Sequence, residues 1–306
     1  MRFVDVNLRG VGQVMFQDNP LSGLLFLVAI GWGSYASGMP QVGWGGLVGV
    51  LAATLMAQWL RVDTAALNAG LHGFNGYLVG LALPTFVAVS PALWVYVVLG
   101  AAVSVVVMLG LTNVLKTWGV PALTAPFVLV SWLLLLATNA FSGLEGGALP
   151  PAGEIVPIDP SATDPLRFGD FVGGVLTSIT QVFLKGHGPA AVLLLAGLAV
   201  SSTAAAVFAV VGAVVAVIAA HLLGAESQLV TAGLLGFNPV LTAIALGAVF
   251  YRPSARVAAY ALLATVLSVI AQGAMIAAMT PFGIPTLTAA FVLVTWLFLM
   301  PGQKFE

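Results

Sequence analysis

The chain has 306 residues, of which 60% are hydrophobic and only 6% are charged, and its formal net charge is −1. Soluble domains carry about 25% charged residues, so this composition excludes a soluble fold and predicts a protein that lies in the lipid bilayer. Because the charge is nearly neutral, we expect no nucleic-acid partner. Because there is no cysteine, disulfides, thiol chemistry and cysteine metal sites are excluded.

The hydrophobic residues fall into long runs without charge, which predict membrane-spanning α-helices. A spanning helix needs about 20 apolar residues, and the longest charge-free runs have room for at least two such helices each. Helices are favoured over strands because the runs are rich in Ala, Leu, Val and Gly and do not alternate. Residues 1–20 are polar and lack a separate apolar core, so they do not predict a cleavable signal peptide.

We predict five hydrophobic segments in each half of the chain. In the first half they lie near residues 21–38, 41–60, 66–89, 92–112 and 118–138. In the second half they lie near residues 189–206, 208–224, 229–250, 257–279 and 283–301. Residues 142–170, between the halves, are rich in Gly, Pro and acidic residues, which predicts a solvated loop.

Parts of the first half return in the second half. Residues 120–133 return at 284–297, and residues 70–83 return at 233–246, at spacings of 164 and 163 residues. A looser recurrence pairs Gln13-Val14 with Gln181-Val182. Three recurrences in one order predict a duplicated unit, which is typical of a transport pathway built where two repeats meet. We therefore assign residues 1–140 to the first repeat, 141–175 to an extramembrane linker and 176–306 to the second repeat.

The basic residues predict that the second repeat is inverted relative to the first. Five crossings per half put the two repeats in opposite orientations, and with the N-terminus inside, only Arg167 and Lys185 fall outside. Cytoplasmic loops of membrane proteins carry an excess of Lys and Arg, and this distribution agrees with that positive-inside rule. The basic residues on the inner side are Arg2, Arg9, Arg61, Lys116, Arg252, Arg256 and Lys304. Both termini are therefore predicted to be cytoplasmic.

The third segment of each half contains residues that interrupt helices. Gly70, Gly73, Gly76 and Gly80 lie in the first copy, and Gly233, Gly236 and Pro239 lie in the second. Non-helical backbone is tolerated at membrane depth only where it is buried or lines a cavity. Prolines near the starts of the fifth segments (121, 126 and 285) should also break the helix and free backbone carbonyls. The predicted fold is an all-α membrane protein of two inverted repeats, each with five transmembrane segments, whose broken or short pore helices meet near the midplane.

The polar residues that recur in both halves are neutral. No Asp, Glu, Lys or Arg lies deep in a predicted segment, which argues against proton relays, voltage sensors and most ion-coupled carriers. The recurring polar residues are Gln13 and Gln181, Thr124 and Thr288, and Asn75 and Asn238. Neutral acceptors between apolar side chains suit a small, uncharged, flat and polar solute. No nucleophile, acid pair or metal cluster is visible, so we predict neither an enzyme nor a cofactor.

Each of these residues also has a purely structural interpretation. Thr124 and Thr288 could bond back to helix carbonyls, as threonines in membrane helices often do. Asn75 and Asn238 could brace the broken segment. Most of the glycines could simply let helices approach closely, and His72, which has no counterpart in the second half, could be a satisfied structural residue.

Three motifs resemble the urea transporter family. Pro121-Ala122-Leu123-Thr124-Ala125-Pro126-Phe127 fits the family signature Pro-x-x-Thr-x-Pro-Phe in full. Pro285-Thr286-Leu287-Thr288-Ala289-Ala290-Phe291 fits it except that Ala290 replaces the second proline. The run Gly10-Val11-Gly12-Gln13-Val14-Met15-Phe16, followed by Asn19-Pro20, resembles the N-terminal segment of the family, and the segments around Phe74-Asn75 and Phe237-Asn238 are similar as well.

The resemblance implies a homotrimer with one pore per subunit, through which urea crosses the lipid bilayer down its gradient. It implies that Thr124 and Thr288 line the filter centre with Val182, Leu78 and Leu241. It further implies that Gln13 and Gln181 accept urea amide protons at the two mouths, and that Phe16 with Phe74, and Phe237 on the other side, form flat slots. Leu184 stands where a second-slot phenylalanine is expected. The compact chain without long tails favours the inner (plasma) membrane of a bacterium.

Two other functions remain open from the residues. One is a channel for another small neutral solute such as ammonia, water or a short amide, which would keep the fold and change only the filter. The other is a membrane scaffold subunit that transports nothing, although a scaffold would not need duplicated polar residues. Urea is favoured because an uncompensated amide-like group costs roughly 2–7 kcal/mol to bury, and a row of oxygens would offset that cost.

Overall fold

The structure, a computed structural model, describes residues 3–305. Met1, Arg2 and Glu306 lie outside the described residues, and so does the predicted inner position of Arg2. Across residues 3–305 the chain is helical and contains no strand beyond one isolated bridge between Val87 and Gly146. The all-α prediction is therefore confirmed. The chain divides into two compact units.

Unit 1 comprises the described residues up to Pro151 together with Phe282–Ile284. Its helices are α1 (Phe3–Gly12), α2 (Pro20–Ala36), α3 (Pro40–Trp59), α4 (Thr64–Asn68), α5 (Phe74–Phe86), α6 (Pro91–Leu115) and α7 (Ala125–Ala137). A short 3-10 turn, Gln13–Met15, follows α1, and the axes of this segment and α2 differ by 74°. Helix α3 packs mainly on α5 and α6.

Unit 2 comprises Ala152–Pro281 and the described residues from Pro285 onward. Its helices are α8 (Phe168–Thr180), α9 (Ala191–Ser201), α10 (Thr203–Leu222), α11 (Ser227–Thr231), α12 (Phe237–Ile244), α13 (Ala255–Met279) and α14 (Ala289–Leu299). A 3-10 turn, Gln181–Phe183, follows α8, and this segment is bent by 76° against the helix that follows. A π-helical turn, Ala245–Val249, extends α12.

The two units repeat the same order of long and short helices. Helices α3 and α10 have 20 residues each, α6 and α13 have 25 each, and α4 and α11 have five each. The third predicted segment is broken in both halves, as expected, because α4 and α5 are separate helices and so are α11 and α12. The duplication seen in the sequence therefore extends to the elements, while the inversion of the second copy stays a prediction.

Fewer helices reach membrane-spanning length than the ten predicted crossings. Within the described residues, four helices are long and apolar enough, namely α3, α6, α10 and α13, and the count rises to six if each bent pair is one span. The broken third segments and the late starts of α7 and α14 account for the difference. Helices α1 and α8 were not among the predicted segments, and α10 begins at Thr203 rather than near residue 208.

Side chains that accept backbone N–H groups define where several helices begin. The Asn19 side chain accepts the N–H groups of Leu21 and Ser22 at the start of α2, and proline at the first helical position has no N–H to satisfy. Ser90 caps α6 and Ser254 caps α13 in the same way. The matching serines show that both 25-residue helices start by the same local chemistry.

Glycines let the backbones of α3 and α5 touch. A Cβ atom added at Gly49 would lie 2.2 Å from the carbonyl oxygen of Gly76, and one added at Gly45 would lie 2.2 Å from that of Gly80. In unit 2 the contact of α10 with α12 is looser, because a Cβ at Gly212 would lie 2.8 Å from the Ala243 side chain. The interpretation of these glycines as contacts for close helix approach is therefore confirmed.

Residues 142–167 contain no α-helix, and most of them are exposed. Their first part docks on the end of α5, since the Ala88 N–H donates to the Glu145 carbonyl at 2.9 Å and the Gly147 N–H donates to the Phe86 carbonyl at 2.8 Å. The loop ends at residue 167 and not at the predicted residue 170, because α8 begins at Phe168. The helices themselves expose many large apolar side chains, among them Trp32, Leu55 and Val106, which is an arrangement suited to lipid.

Candidate functional site

In each unit a buried threonine follows a leucine in the left-handed region. Leu123 has φ 53° and Leu287 has φ 50°, a conformation that costs a non-glycine residue about 1–2 kcal/mol. Thr124 and Thr288 come next, at the starts of α7 and α14, with 3% and 2% of their surface exposed. Pro121 and Pro285 are thus followed by a turn and a new helix, so the break predicted at these prolines is confirmed.

An asparagine from a different helix holds this turn in both units. In unit 1 the Asn75 side-chain amide donates to the Leu123 carbonyl at 3.3 Å, and its oxygen accepts the Phe127 N–H at 3.1 Å. In unit 2 Asn238 makes the same two bonds, to Leu287 at 3.1 Å and from Phe291 at 3.0 Å. The bracing interpretation of the two asparagines is therefore confirmed. The carbonyl before each threonine is already an acceptor within the chain.

These bonds change what the two threonines do. The residue before a helix normally caps it by accepting an N–H two or three positions on. Thr124 and Thr288 occupy that position, yet neither side chain makes a capping bond. Asn75 and Asn238 take the third N–H instead, so the threonine hydroxyls are not needed to cap their own helices. Both threonines take part in other interactions within the chain.

The two predicted mouth glutamines are oriented alike. Gln13 donates from its side-chain nitrogen to the Ala69 carbonyl at 2.8 Å, and Gln181 donates to the Ala232 carbonyl at 3.1 Å. Both bonds reach the break between the short helix and the broken segment of the same unit. Since the nitrogen is used in this way, the carbonyl oxygen of each glutamine is the group that can accept a solute proton.

Phe16 and Leu184 lie at the two bends. Each follows the 3-10 turn and has positive φ, 63° and 56° respectively, and each is half-buried. The backbone therefore turns identically although the side chains differ. Leu184 therefore occupies the position in the turn where a phenylalanine is expected, and it differs from that expectation only in lacking an aromatic ring.

Four of the remaining predicted pore residues lie on the broken segments and are buried. Phe74 and Leu78 are one helical turn apart at the start of α5, and Phe237 and Leu241 have the same spacing on α12. Residues four apart lie on one face of a helix. Val182, in the turn after α8, is buried too. Within each unit, Gln13 or Gln181 bonds the backbone just before this helix, and Asn75 or Asn238 connects it to the threonine turn.

His72 departs from its interpretation as a satisfied structural residue. It is 6% exposed, and neither ring nitrogen has a hydrogen-bond partner among the described residues. The position corresponds to Leu235 in the second unit, which needs no partner. A buried imidazole without partners costs stability rather than adding to it.

Sequence reasoning missed a polar group that stands beside the second threonine turn. Gln272 is 1% exposed and lies within α13, and its counterpart in the first half is Met108. The pathway residues are predicted from polar residues that recur in both halves, and Gln272 has no polar counterpart in the first half. The available signal was a glutamine in a run of 47 residues, from 257 to 303, that contains no charge.

Lys185 is a second polar residue whose burial the sequence did not predict. It follows Leu184 at the bend of unit 2, is 3% exposed, and takes the place of Gln17 in unit 1. Within residues 3–305, no hydrogen bond or ion pair to its ammonium group is formed. The first bend instead carries the paired charges Arg9 and Asp18, 2.6 Å apart. The side chain of Lys185 is therefore buried, while its outer position stays a prediction.

The comparison with known families decides what this arrangement belongs to. The family model described as urea transporter matches residues 4–303. The chain belongs to the urea transporter family. The urea transporter 1 proteins of Ovis aries and Mus musculus are both 29% identical to it, over 313 and 311 residues, and each match covers 99% of this chain and 78% of the relative. As a member of the urea transporter family, the chain is a membrane protein and a transporter rather than an enzyme.

Proposed function

We propose that the chain is a channel that lets urea cross the membrane passively and selectively. The observation that carries the proposal is the match of residues 4–303 to the urea transporter family. The absence of Asp, Glu, Lys and Arg from residues 64–115 and 257–303 supports a passive mechanism, because ion-coupled carriers generally keep ionisable groups in the membrane.

We propose that the predicted residues of both units line the urea pathway. These are Gln13, Phe16, Phe74, Leu78, Thr124, Gln181, Val182, Leu184, Phe237, Leu241 and Thr288. The support is chemical: urea is flat and neutral and has four N–H donors, so it needs acceptors along the way and apolar walls at its faces. Hydroxyl and amide oxygens replace the hydration of the donors, while an ion would lose far more solvation energy and find no countercharge.

The finer organisation belongs to the same proposal. The chain assembles as a homotrimer with one pore per subunit, and its repeats, residues 1–140 and 176–306 on either side of the linker 141–175, are inverted. The membrane is the inner membrane of a bacterium, with both termini in the cytoplasm. The excess of basic residues on the predicted inner side supports this orientation.

Urea flux into liposomes tests the passive mechanism. Purified protein is reconstituted, an inward urea gradient is applied, and vesicle volume is followed by stopped-flow light scattering. We expect urea entry well above that of protein-free vesicles, at a rate that does not change when proton or sodium gradients are imposed or collapsed. A strict requirement for either ion gradient would contradict the channel, and ammonia or water entry without urea entry would favour the alternative of another neutral solute.

A further inference from the structure

Gln272 is at the centre of a polar network in unit 2 that has no equivalent among the described residues of unit 1. Its side-chain oxygen accepts from the Asn238 amide at 2.7 Å. Its side-chain nitrogen donates to the Leu234 carbonyl and to the Thr286 hydroxyl, each at 3.0 Å. Both donors and the acceptor of Gln272 are therefore used, and every bond in this set joins atoms of the same unit.

The network ends on the turn that carries Thr288. Asn238 donates its second N–H to the Leu287 carbonyl at 3.1 Å, and the Thr286 hydroxyl points at the same carbonyl at a longer distance of 3.5 Å. The left-handed leucine is thus held from α12 directly and from α13 through Gln272. In a buried network with all groups satisfied, each bond fixes the others in place.

Unit 1 lacks this second support. At the position of Gln272 it has Met108, whose sulfur lies 3.6 Å from the Asn75 nitrogen and is a weak acceptor. At the position of Thr286 it has Ala122, which has no hydroxyl. The Leu123 turn is therefore held by Asn75 but is not tied to α6 by any strong polar bond among the described residues.

We propose that Gln272 is a positioning residue that makes the Thr288 turn the more rigid and more selective part of the urea pathway. The inference rests on the proposed function of Thr288. Thr288 directly follows the Leu287 carbonyl that this network holds, so its turn cannot easily move aside for a solute larger than urea, such as thiourea or N-methylurea. The Thr124 turn, supported by a flexible thioether, adapts more readily.

The test compares permeability ratios in liposomes made from the full-length protein. Gln272→Met installs the residue of unit 1, and Thr286→Ala removes one bond of the network while the Asn238–Gln272 bond remains. Exposed Gln228 on α11 provides the matched control, Gln228→Met. We expect the urea-to-thiourea permeability ratio to fall about threefold in Gln272→Met, less in Thr286→Ala, and not at all in the control.

The reverse exchange gives a test that does not depend on a weakened protein. Met108→Gln together with Ala122→Thr places the network of unit 2 in unit 1, and we expect the same ratio to rise. The proposal is overturned if the ratio is unchanged both in Gln272→Met and in the double variant. If Gln272→Met does not fold, Thr286→Ala takes its place in this test. Absence of urea flux in the unaltered protein would instead overturn the proposed function, so the two failures are distinguishable.

Discussion

The two units turn their backbones in the same way but support the turns differently. Left-handed residues stand at matching places, Leu123 with Leu287 and Phe16 with Leu184, and asparagines make the same bonds to both threonine turns. The neighbouring side chains differ, since a thioether in one unit is replaced by a bonded glutamine in the other. Both halves therefore share the direct bonds that hold the turn, and they differ in the side chain that contacts the asparagine from behind, Met108 in unit 1 and Gln272 in unit 2.

Loss of the bracing asparagine has the largest expected effect, and it should differ between the units. Asn75→Ala leaves the Leu123 carbonyl and the Phe127 N–H unpaired, while Asn238→Ala also leaves the Gln272 oxygen unpaired. Buried groups without partners cost about 1–3 kcal/mol each. We therefore expect both variants to lose urea flux, and Asn238→Ala to lower the unfolding temperature in detergent more than Asn75→Ala does.

Exposed Asn139, at the end of α7, makes no side-chain hydrogen bond among the described residues, and Asn139→Ala is the control for these two variants. An equal loss of stability in Asn75→Ala and Asn238→Ala would show that the Gln272 network adds nothing to the bracing, which removes the contrast between the units.

Alanine substitutions at the helix contacts should also destabilise the two units by different amounts. Gly49→Ala puts a Cβ against the backbone of α5, which cannot yield, and we expect a loss of stability of more than about 2 kcal/mol. Gly212→Ala meets the side chain of Ala243 at 2.8 Å and should cost less. Thermal unfolding of both variants in detergent measures the difference.

Gly110 on α6 serves as the reference for these glycines, because a Cβ there meets no atom within 4 Å. Gly110→Ala should be neutral or slightly stabilising, since alanine favours helices by up to about 1 kcal/mol over glycine. A Gly49→Ala protein as stable as Gly110→Ala would contradict the tight packing of α3 on α5.

Exchange of residues at the two bends has the smallest expected effect. Lys185→Gln replaces a mostly buried lysine, whose ammonium group bonds to none of the described residues, by the residue found in unit 1. We expect a gain of about 1 kcal/mol, seen as a higher unfolding temperature. The reciprocal Gln17→Lys should lower it. A loss of stability in Lys185→Gln would mean that the ammonium is stabilised where it lies.

The sequence predicted the structure well where the same motif occurs in both halves. Matching motifs predicted the broken third segments and the turns at the threonines, because glycine, proline and asparagine act on the backbone within a few residues. The bonds of Gln272 were missed because they reach residues 14 to 38 positions away along the chain, and the burial of Lys185 was missed because it depends on tertiary packing. Helices α1 and α8 were missed because they are amphipathic and partly polar, and hydropathy detects only long apolar runs.

Replacement of the two threonines tests the account most directly. Thr124→Val and Thr288→Val keep the shape of the side chain and remove its hydroxyl, while Thr124→Ser and Thr288→Ser keep the hydroxyl. With urea flux measured in liposomes, we expect each valine variant to be slower by about fivefold, which corresponds to roughly 1 kcal/mol of lost hydrogen bonding, and each serine variant to stay near the unaltered rate. Unchanged urea flux in both valine variants, with the proteins folded, would contradict a pathway lined by these hydroxyls.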